Sequence, residues 1–475
     1  MSAVDVAVIG AGPAGLAAAT TCAQHGLATA VYDEQPSPGG QVYRNVTSSP
    51  LARQDILGGE YRHGAELAAL LRKSGARYVT NATVWSVAAA GGSFELAVST
   101  GPYHAREARL ARARAVVVAT GALERPFPIA GWTLPGVMMA GAAQALLKTA
   151  GLAPQGRVVL AGSGPLLWLV AWQLLRAGVT AQALLDTTPR GRLAQALRFA
   201  PAFLRSPYFA KGRDLMRAVR RRVPVVEYVE VLAIEGGDTV GTVRYRASAR
   251  EETLPADHVL LHQGVVPDVN LASAIGCALE WDDATACFAP VVDEWGASTV
   301  PGVYIAGDGA GIAGAAAAEA RGRLAALAIA NAHGRIDGTA RSRGAEGPRR
   351  ALAHALRGRR FLDALYRPGD AFRIPEGATL ACRCEEVAAA TIARVAREGC
   401  AGPNQMKAYT RCGMGPCQGR YCGLTVTEII ARETGRSPTS VGCLHARFPV
   451  KPVSLGEIAA LPVSAAARAA VERSE

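Results

Sequence analysis

Residues 3–33, AVDVAVIGAGPAGLAAATTCAQHGLATAVYD, decide the fold. Residues 3–9 are small or β-branched apart from Asp5, which is typical of a buried parallel strand. The glycines of GAGPAG follow at residues 10–15, and the pattern then predicts a helix over 15–25 and a second strand over 28–32. This order predicts a βαβ unit that binds a dinucleotide, with the pyrophosphate at the N-terminus of the helix.

The positions of GAGPAG have separate physical roles. The first glycine makes the tight turn, the second lets the backbone approach the pyrophosphate, and the third lets the helix pack close to the strand. Asp33 ends the second strand, where its carboxylate can accept a hydrogen bond from a ribose hydroxyl and would repel a 2′-phosphate. The candidate cofactor-binding residues of this unit are Gly10, Gly12, Pro13, Ala14, Gly15, Asp33 and Glu34.

Four later segments return the chain to the same nucleotide. They are the PGGQ loop at residues 38–41, a strand over 78–87, a strand over 115–119, and a strand over 303–306 that precedes a helix over 314–331. Asp308 follows the last of these strands and can bind the ribityl hydroxyls of a flavin. The further candidates are Gly40, Gln41, Val84, Thr120, Gly121, Gly307 and Asp308. The pattern predicts a flavoprotein whose first domain is split in sequence by a second one.

The inserted domain has a βαβ pattern of its own. Residues 157–178 read RVVLAGSGPLLWLVAWQLLRAG, with Gly162 and Gly164 in the first two glycine positions and Leu167 in the third. We expect a leucine there to push helix and strand apart and to alter the phosphate pocket. A strand over 181–185 ends on Asp186. The unit is therefore either a second adenine-nucleotide site or a structural remnant of one.

Composition and charge exclude several classes of protein. Charged residues are 19% and hydrophobic residues 50% of the 475, so the chain is globular. The net charge of +12 is concentrated in residues 190–222 and 341–360, but no nucleic-acid-binding module accompanies them. Residues 190–222 are either an amphipathic helical insertion or, the favoured interpretation, a basic face over a local apolar core. With no apolar stretch long enough to span a bilayer and a strand at the very N-terminus, we expect a cytoplasmic protein.

Seven of the ten cysteines fall between residues 382 and 443, which predicts a metal site. Cys382 and Cys384 form one close pair, and Cys417 and Cys422 form another. Four thiolates suit a [2Fe–2S] cluster or zinc, and a redox flavoprotein body favours iron. Cys412 competes as a ligand, although the pair Cys417 and Cys422 is preferred.

The predicted fold is α/β, with two nested Rossmann-like dinucleotide-binding domains and a small α-rich iron–sulfur module at the C-terminus. We expect the flavin domain to cover residues 1–124 and 288–332, and the second dinucleotide domain to cover 125–287. Residues 333–375 are expected to form a basic linker and helix, with a polar, glycine-rich linker over 333–348 and the helix over 349–366. The iron–sulfur module and tail would cover 376–475.

The motifs GAGPAG, PGGQ, ATGALERP, GSGPLL and AGDGAG resemble those of thioredoxin-reductase-like flavoproteins, although the redox C-x-x-C of thioredoxin reductase is missing. The string CRCEEV…TRCGMGPCQGRYC resembles a bacterioferritin-associated-ferredoxin-type [2Fe–2S] domain. Through to RFPVKPVSLGEIA, the chain resembles the α subunits of heteromeric bacterial amine dehydrogenases. That family includes opine oxidases, proline and hydroxyproline dehydrogenases, and hydrogen cyanide synthase.

The resemblance implies a β subunit that carries FAD and oxidises the N–Cα bond of a secondary amine, while this α subunit passes electrons onward. It carries FAD contacts over to Gly10, Gly12, Gly15, Asp33, Gly40, Gln41, Thr120, Gly121 and Asp308, and [2Fe–2S] ligation over to Cys382, Cys384, Cys417 and Cys422. It leaves room for FMN at the subunit interface, for NAD or ATP in a dinucleotide site, for a small iron–sulfur γ subunit, and for contact with the inner face of the membrane.

Three other functions remain open. They are a self-contained NAD(P)H-dependent flavin reductase, a subunit of hydrogen cyanide synthase, and a non-catalytic nucleotide-binding scaffold. The arginines of residues 341–360 are expected to dock on an acidic face of the β subunit, since arginine suits interfacial ion pairs.

Overall fold

Two sheets, one mixed and one parallel, form the body of the chain, and the second interrupts the first in sequence. The structure is a computed structural model that describes residues 3–51 and 55–462. The strands are β1 (Val4–Ile9), β2 (Thr29–Tyr32), β3 (Arg77–Val79), β4 (Ala82–Ala90), β5 (Ser93–Thr100), β6 (Glu107–Val118), β7 (Ala122–Glu124), β8 (Val137–Met139), β9 (Val158–Ser163), β10 (Ala183–Asp186), β11 (Val225–Val226), β12 (Val229–Gly236), β13 (Val240–Ala247), β14 (Arg250–Pro255), β15 (His258–Gln263), β16 (Val265–Pro267), β17 (Leu279–Asp282), β18 (Cys287–Pro290), β19 (Val303–Ile305), β20 (Leu380–Cys382) and β21 (Val387–Ala388).

The helices lie between these strands and dominate the C-terminal part. They are α1 (Pro13–Gln24), α2 (His63–Lys73), α3 (Ala140–Ala150), α4 (Pro165–Arg176), α5 (Arg192–Leu197), α6 (Ala200–Leu204), α7 (Pro207–Arg220), α8 (Asn270–Ile275), α9 (Ala315–Ala332), α10 (Gly338–Leu356), α11 (Arg359–Leu365), α12 (Ala389–Arg397), α13 (Pro403–Thr410), α14 (Gly423–Thr434), α15 (Pro438–Val441) and α16 (Leu455–Ala459). No helix in the described part of the chain combines the length and the apolar character needed to cross a bilayer.

The first sheet has the strand order β3-β2-β1-β6-β5-β4, and β19 also pairs with β6. Strands β1, β2, β3, β6 and β19 run parallel, whereas β4 and β5 form an antiparallel excursion. Because β19 joins the sheet from residues 303–305, the chain returns to its first sheet after a long insertion, as predicted. Helices α1 and α9 pack closely: a Cβ on Gly322 would lie 2.1 Å from the carbonyl oxygen of Ala14.

The second sheet has the order β11-β10-β9-β15-β8 and is parallel throughout. Its central strands β9, β10 and β15 are short and almost fully buried, as expected for a sheet covered on both faces, whereas the edge strands β8 and β11 are half-buried. A three-stranded antiparallel sheet, β12-β13-β14, covers one of its faces. The predicted α/β fold with two nested dinucleotide-binding units is therefore confirmed, while the domain limits stay predictions.

Lys148 ties the second unit to the first. Its ammonium lies at the end of α3 and donates to the carbonyl oxygens of Gln41 at 3.0 Å and Val42 at 2.9 Å, and to the side chain of Gln144 at 2.9 Å. Burial in this contact lowers the pKa of Lys148 to about 7. The PGGQ loop of the first unit is thus held by a buried amine from the second.

The predicted linker over residues 333–348 is wrong from residue 338 onward, where α10 begins. Asp337 caps this helix by accepting the N–H of Ala340 at 2.7 Å. The small residues that read as a loop instead let α10 pack on α9, with Ala345 fully buried. Arg341 and Arg349 stack on the ring of Trp295 at 4.5 and 4.6 Å. The segment is a packed helix rather than a solvated connection.

Residues 190–222 form three short helices, α5 to α7, over a local apolar core. Phe203 stacks on Phe361 of α11 at a centroid distance of 4.1 Å, and Ala196 is buried beside them. Most arginines of this segment are exposed, so it does form a basic face over a local apolar core, but it is also helical, as the alternative of an amphipathic helical insertion expects.

The C-terminal module is built from the β20-β21 hairpin and helices α12 to α15. It is attached by the buried ion pair of Arg373 and Glu428, which are 6% and 4% exposed at their side chains. The chain then returns to the first sheet: the N–H of Val450 donates to the carbonyl of Trp85 at 3.0 Å, and Lys451 pairs with Glu34 at 2.9 Å. The module is therefore fixed to the body at both of its ends.

Candidate flavin and metal-cluster sites

The glycine-rich loop leaves open space at Gly12 only. A Cβ on Gly10 would lie 2.5 Å from the carbonyl oxygen of Ala119, and one on Gly15 would lie 1.9 Å from that of Gly10. At Gly12 the nearest atom to such a Cβ is the Cα of Gly40, at 3.8 Å. Helix α1 starts next to it, and no side chain caps its N-terminus. The free N–H groups and the open space suit a pyrophosphate, so these residues fit a dinucleotide.

The PGGQ loop forms the opposite wall of this space. A Cβ on Gly40 would lie 2.8 Å from the Cα of Gly12, so a side chain at Gly40 would close the gap. The N–H of Gly39 donates to the carbonyl of Ala11 at 2.8 Å. The side chain of Gln41 accepts a hydrogen bond from Arg44 at 3.0 Å. The structure therefore brings Gly40 and Gln41 to the nucleotide loop.

Asp33 is buried at the end of β2 and holds the same loop. Its two carboxylate oxygens accept the N–H groups of Ala11 at 2.5 Å and Gln35 at 2.7 Å. Burial raises the pKa of Asp33, and these two hydrogen bonds oppose that rise. Each oxygen keeps a lone pair for a ribose hydroxyl. Glu34 is instead paired with Lys451, and Val84 is buried within β4.

Asp308 lies in the loop after β19, which forms a further side of the candidate nucleotide site. Its carboxylate accepts the N–H groups of Ala313 and Gly314, both at 2.9 Å, just before the uncapped start of α9. A Cβ on Gly307 would lie 2.8 Å from that of Ala14, and one on Gly309 would lie 3.4 Å from the carbonyl oxygen of Gly121. The loops after β1, β6 and β19 therefore meet at one edge of the sheet. Thr120 and Gly121 lie in the second of them.

The second βαβ unit has the same glycine turn at Gly162 and Gly164, but a leucine replaces the third glycine. A Cβ on Gly162 would lie 1.7 Å from the carbonyl oxygen of His262, and one on Gly164 would lie 3.4 Å from Nε2 of that ring. Leu167 is fully buried in the apolar core beneath α4, so its side chain is part of the packing. Whether it alters the phosphate pocket stays a prediction.

Polar side chains that the sequence did not single out line the base of the second unit. His262 is 1% exposed, and its Nδ1 lies 2.6 Å from a carboxylate oxygen of Glu124. Gln263 donates to Thr187 at 2.7 Å, while its buried Oε1 has no partner. An unpaired buried acceptor suits a ligand donor. No sequence motif marks these residues, because His262 and Glu124 meet only when β7 pairs with β16, the strand that follows β15.

The cysteines gather into two groups. The sulfurs of Cys382, Cys412 and Cys422 all lie within 4.8 Å of one another, and all three residues are buried. Cys384 is exposed and neighbours Cys417, whose backbone N–H donates to the Cys384 sulfur. The predicted ligand set of Cys382, Cys384, Cys417 and Cys422 leaves out Cys412, which the structure includes in the buried group. The choice of four ligands therefore stays a prediction.

Hydrogen-bond donors surround the buried sulfurs. The thiols of Cys412 and Cys422, together with the backbone N–H groups of Gly413 and Glu385, lower the pKa of Cys382 because all of them donate to its thiolate. A Cβ on Gly415 would lie 2.3 Å from the Cβ of Cys384, so only glycine lets this loop approach the first cysteine turn. Thiolates with N–H donors fit the ligand chemistry of a [2Fe–2S] cluster and of zinc.

Asp268 and Arg420 bridge the two candidate sites. The N–H of Asp268 donates to the carbonyl of Gly121 at 3.0 Å, and its carboxylate lies 3.7 Å from Nε of Arg420. The guanidinium of Arg420 in turn donates to the carbonyl of Cys417 at 3.2 Å. The loop that would hold a flavin and the loop that would hold a cluster are therefore connected through Asp268 and Arg420, by two hydrogen bonds to the backbone and one ion pair.

Taken together, the two nested sheets, the open cradle at Gly12 and the helix N-termini aimed at it define a flavin oxidoreductase. The chain belongs to the pyridine nucleotide-disulphide oxidoreductase family, which it matches over residues 4–332. Residues 379–461 match a second family, the sarcosine oxidase A3 domain. This second match covers the cysteine module. The expected resemblance to the amine-dehydrogenase α subunits is confirmed by the relatives.

The relatives match the chain over nearly its whole length. An opine oxidase subunit from Agrobacterium tumefaciens (strain Ach5) is 49% identical, over 98% of this chain and 93% of that protein. Hydrogen cyanide synthase subunit HcnB of Pseudomonas protegens is 31% identical, over 94% of this chain and 95% of that protein. Among solved structures, L-proline dehydrogenase from P. horikoshii aligns with a TM-score of 0.70 and 22% identity, covering 96% of this chain and 79% of that one. The last comparison confirms the fold.

Proposed function

We propose that this chain is the electron-transferring subunit of a heteromeric dehydrogenase that oxidises a secondary amine. The substrate class would be an opine, D-hydroxyproline or proline. The partner is a β subunit with its own FAD, which takes electrons from the N–Cα bond. The relatives named as opine oxidase and hydrogen cyanide synthase subunits support a role within such an assembly. The 49% identity to an opine oxidase subunit favours the opine class over hydrogen cyanide synthesis.

The bridge through Asp268 and Arg420 is the observation that carries this proposal. It links Gly121, at the proposed flavin site, to the backbone of Cys417, at the proposed cluster site. FAD would be held by the residues around Gly12, Asp33 and Asp308. A [2Fe–2S] cluster would be held within the cysteine group, by Cys382, Cys384, Cys417 and Cys422. When bound, the two groups would supply two-electron and one-electron redox chemistry respectively.

The residues of this chain supply position and electrostatics. The uncapped starts of α1 and α9 would bind negatively charged phosphates, and Asp33 would orient the ribose. Lys148 keeps the PGGQ loop against the glycine-rich loop. Arg420 contributes a positive charge at the cluster loop, where it would favour added electrons. The unpaired oxygen of Gln263 supports a nucleotide such as NAD or ATP in the second unit.

The test uses the chain co-expressed with its amine-oxidising partner. The purified complex is mixed without oxygen with an opine, D-hydroxyproline or proline, and flavin absorbance and the electron paramagnetic resonance of the cluster are followed together. We expect one amine to reduce both signals, with the cluster signal assigned to this chain. Reduction of the partner's flavin alone would contradict electron transfer through this chain. Rapid oxidation of NADH or NADPH by the isolated chain would instead support a self-contained reductase.

A further inference from the structure

Five cysteines share the candidate cluster site, although a [2Fe–2S] cluster takes four thiolates, two on each iron. The inner triad is Cys382, Cys412 and Cys422, whose sulfurs lie within 4.8 Å of one another. The outer pair is Cys384 and Cys417, which are hydrogen-bond neighbours. The site therefore has three thiols in the inner triad and two in the outer pair. Since each iron takes two thiolates from the protein, the inner triad has one thiol more than one iron requires.

We infer that the outer pair binds one iron and the inner triad binds the other, with Cys412 and Cys422 as interchangeable ligands beside Cys382. The inference rests on the proposed cluster and adds a reserve ligand to it. Its basis is that Cys412 and Cys422 stand in the same relation to Cys382: both are buried, both hydrogen-bond to its sulfur, and both lie within reach of each other.

Exchange between the two thiols needs little movement of the chain. Cys412 lies just after α13, and Cys422 lies just before α14, so both stand at the two ends of one loop. That loop is already held at its middle by Gly415, which packs against Cys384. A ligand swap is a substitution without electron transfer. One iron–thiolate bond breaks as another forms, and the proton of the incoming thiol passes to the outgoing one.

The outer pair has no such reserve among the described residues. The two remaining cysteines of the module point at backbone carbonyls: Cys400 lies 3.5 Å from the oxygen of Gly402, and Cys443 lies 3.6 Å from that of Leu444. The loss of Cys384 or Cys417 would therefore leave one iron a ligand short. The arrangement predicts unequal consequences for cysteines that look alike in sequence.

The experiment replaces cysteines by alanine, which cannot ligate iron, in the full chain purified without oxygen. Iron, acid-labile sulfide and visible circular dichroism are measured for each variant. We expect Cys412→Ala and Cys422→Ala each to keep about two irons per chain. Cys417→Ala and the double variant of Cys412 and Cys422 should lose them. Cys422→Ala should also change the dichroism spectrum, because a different thiolate binds the iron.

Matched controls separate ligand loss from misfolding and from failure of the cluster proposal itself. The double variant of Cys412 and Cys443 also removes two cysteines of the module but should keep its iron. Thermal unfolding of all variants checks that the module stays folded. Iron lost from Cys422→Ala as completely as from the double variant would overturn the reserve-ligand inference. Wild-type protein with zinc, or with neither iron nor sulfide, would overturn the cluster proposal on which it rests.

Discussion

Substituting Gly12 by alanine should separate flavin binding from folding. The structure leaves 3.8 Å between a Cβ at this position and its nearest neighbour, which is ordinary van der Waals contact. Gly12 is also the N-cap of α1, with an extended backbone that alanine adopts without strain. We therefore expect the flavin-free protein to lose only a few tenths of a kcal/mol of stability, or about 1 kcal/mol at most.

Flavin affinity should respond much more strongly, because the new methyl group occupies the space proposed for the pyrophosphate. The loss of one charge-assisted hydrogen bond to the helix N-terminus costs about 1.5–3 kcal/mol. Since each 1.4 kcal/mol is a factor of ten, the dissociation constant should rise by about 10- to 150-fold. The measurement is a titration of flavin-depleted protein with FAD, followed by quenching of flavin fluorescence.

Two other glycines provide the comparison. Gly15→Ala should damage the fold itself, because its Cβ would lie 1.9 Å from a backbone oxygen. Gly212→Ala should leave FAD affinity unchanged and raise stability by about 0.5–1 kcal/mol, since this position is in the interior of α7 and nothing lies within 4 Å of it. Unchanged FAD affinity in Gly12→Ala, with the thermal unfolding of wild type, would refute the placement of the pyrophosphate.

Three further outcomes can be checked on the same protein. Glu428→Gln should destabilise the chain by about 3 kcal/mol in thermal unfolding, because the buried Arg373 then keeps only the exposed Asp370 as a carboxylate partner. Glu398→Gln on an exposed pair should cost less than about 1 kcal/mol. Burial lowers the pKa of Lys148 to about 7 in the folded protein, whereas in the unfolded chain the side chain stays protonated to about pH 10. The unfolded state therefore binds more protons between about pH 7 and 10, so the free energy of unfolding of wild type, relative to Lys148→Met, should rise with pH over this range. Below about pH 7 this difference in stability should not depend on pH. Gly415→Ala should lower the iron content, because its Cβ would collide with the opposite cysteine turn.

The βαβ unit of the candidate nucleotide site can be predicted from the sequence because its signals are local. The turn after the first strand requires glycine at residues 10, 12 and 15, and the position of Asp33 follows from the end of the second strand. All four residues therefore belong to one local βαβ pattern. The structure shows why glycine is required at Gly10 and Gly15, where a Cβ would collide with backbone atoms, and the nucleotide contacts themselves stay predictions. The sequence also predicts that residues 303–305 return to the first sheet. A strand, the dipeptide Gly307-Asp308 and a helix follow one another there, which is again a local strand–loop–helix pattern.

The remaining features depend on contacts between distant segments. The first part of α10, residues 338–348, is predicted as a linker because its glycines and serine favour loops locally, but Trp295 and α9 supply a surface on which it packs. The ligand set was read from spacing along the chain, which cannot show that the fold brings Cys412 as close to Cys382 as Cys422. His262 and Glu124 meet across 138 positions of sequence, and no spacing announces such a pair.

The anchoring of the cysteine module at both ends limits how electrons can travel. Carrier domains on flexible tethers deliver electrons by swinging between a donor and an acceptor. Here the buried pair of Arg373 and Glu428 fixes one end of the module. The buried Val450, whose N–H donates to the carbonyl of Trp85, fixes the other, next to the exposed pair of Lys451 and Glu34. Electron transfer between a flavin and a cluster bound at the two proposed sites would then be a tunnelling step across a constant gap. Its rate should be independent of solvent viscosity, unlike that of a swinging carrier.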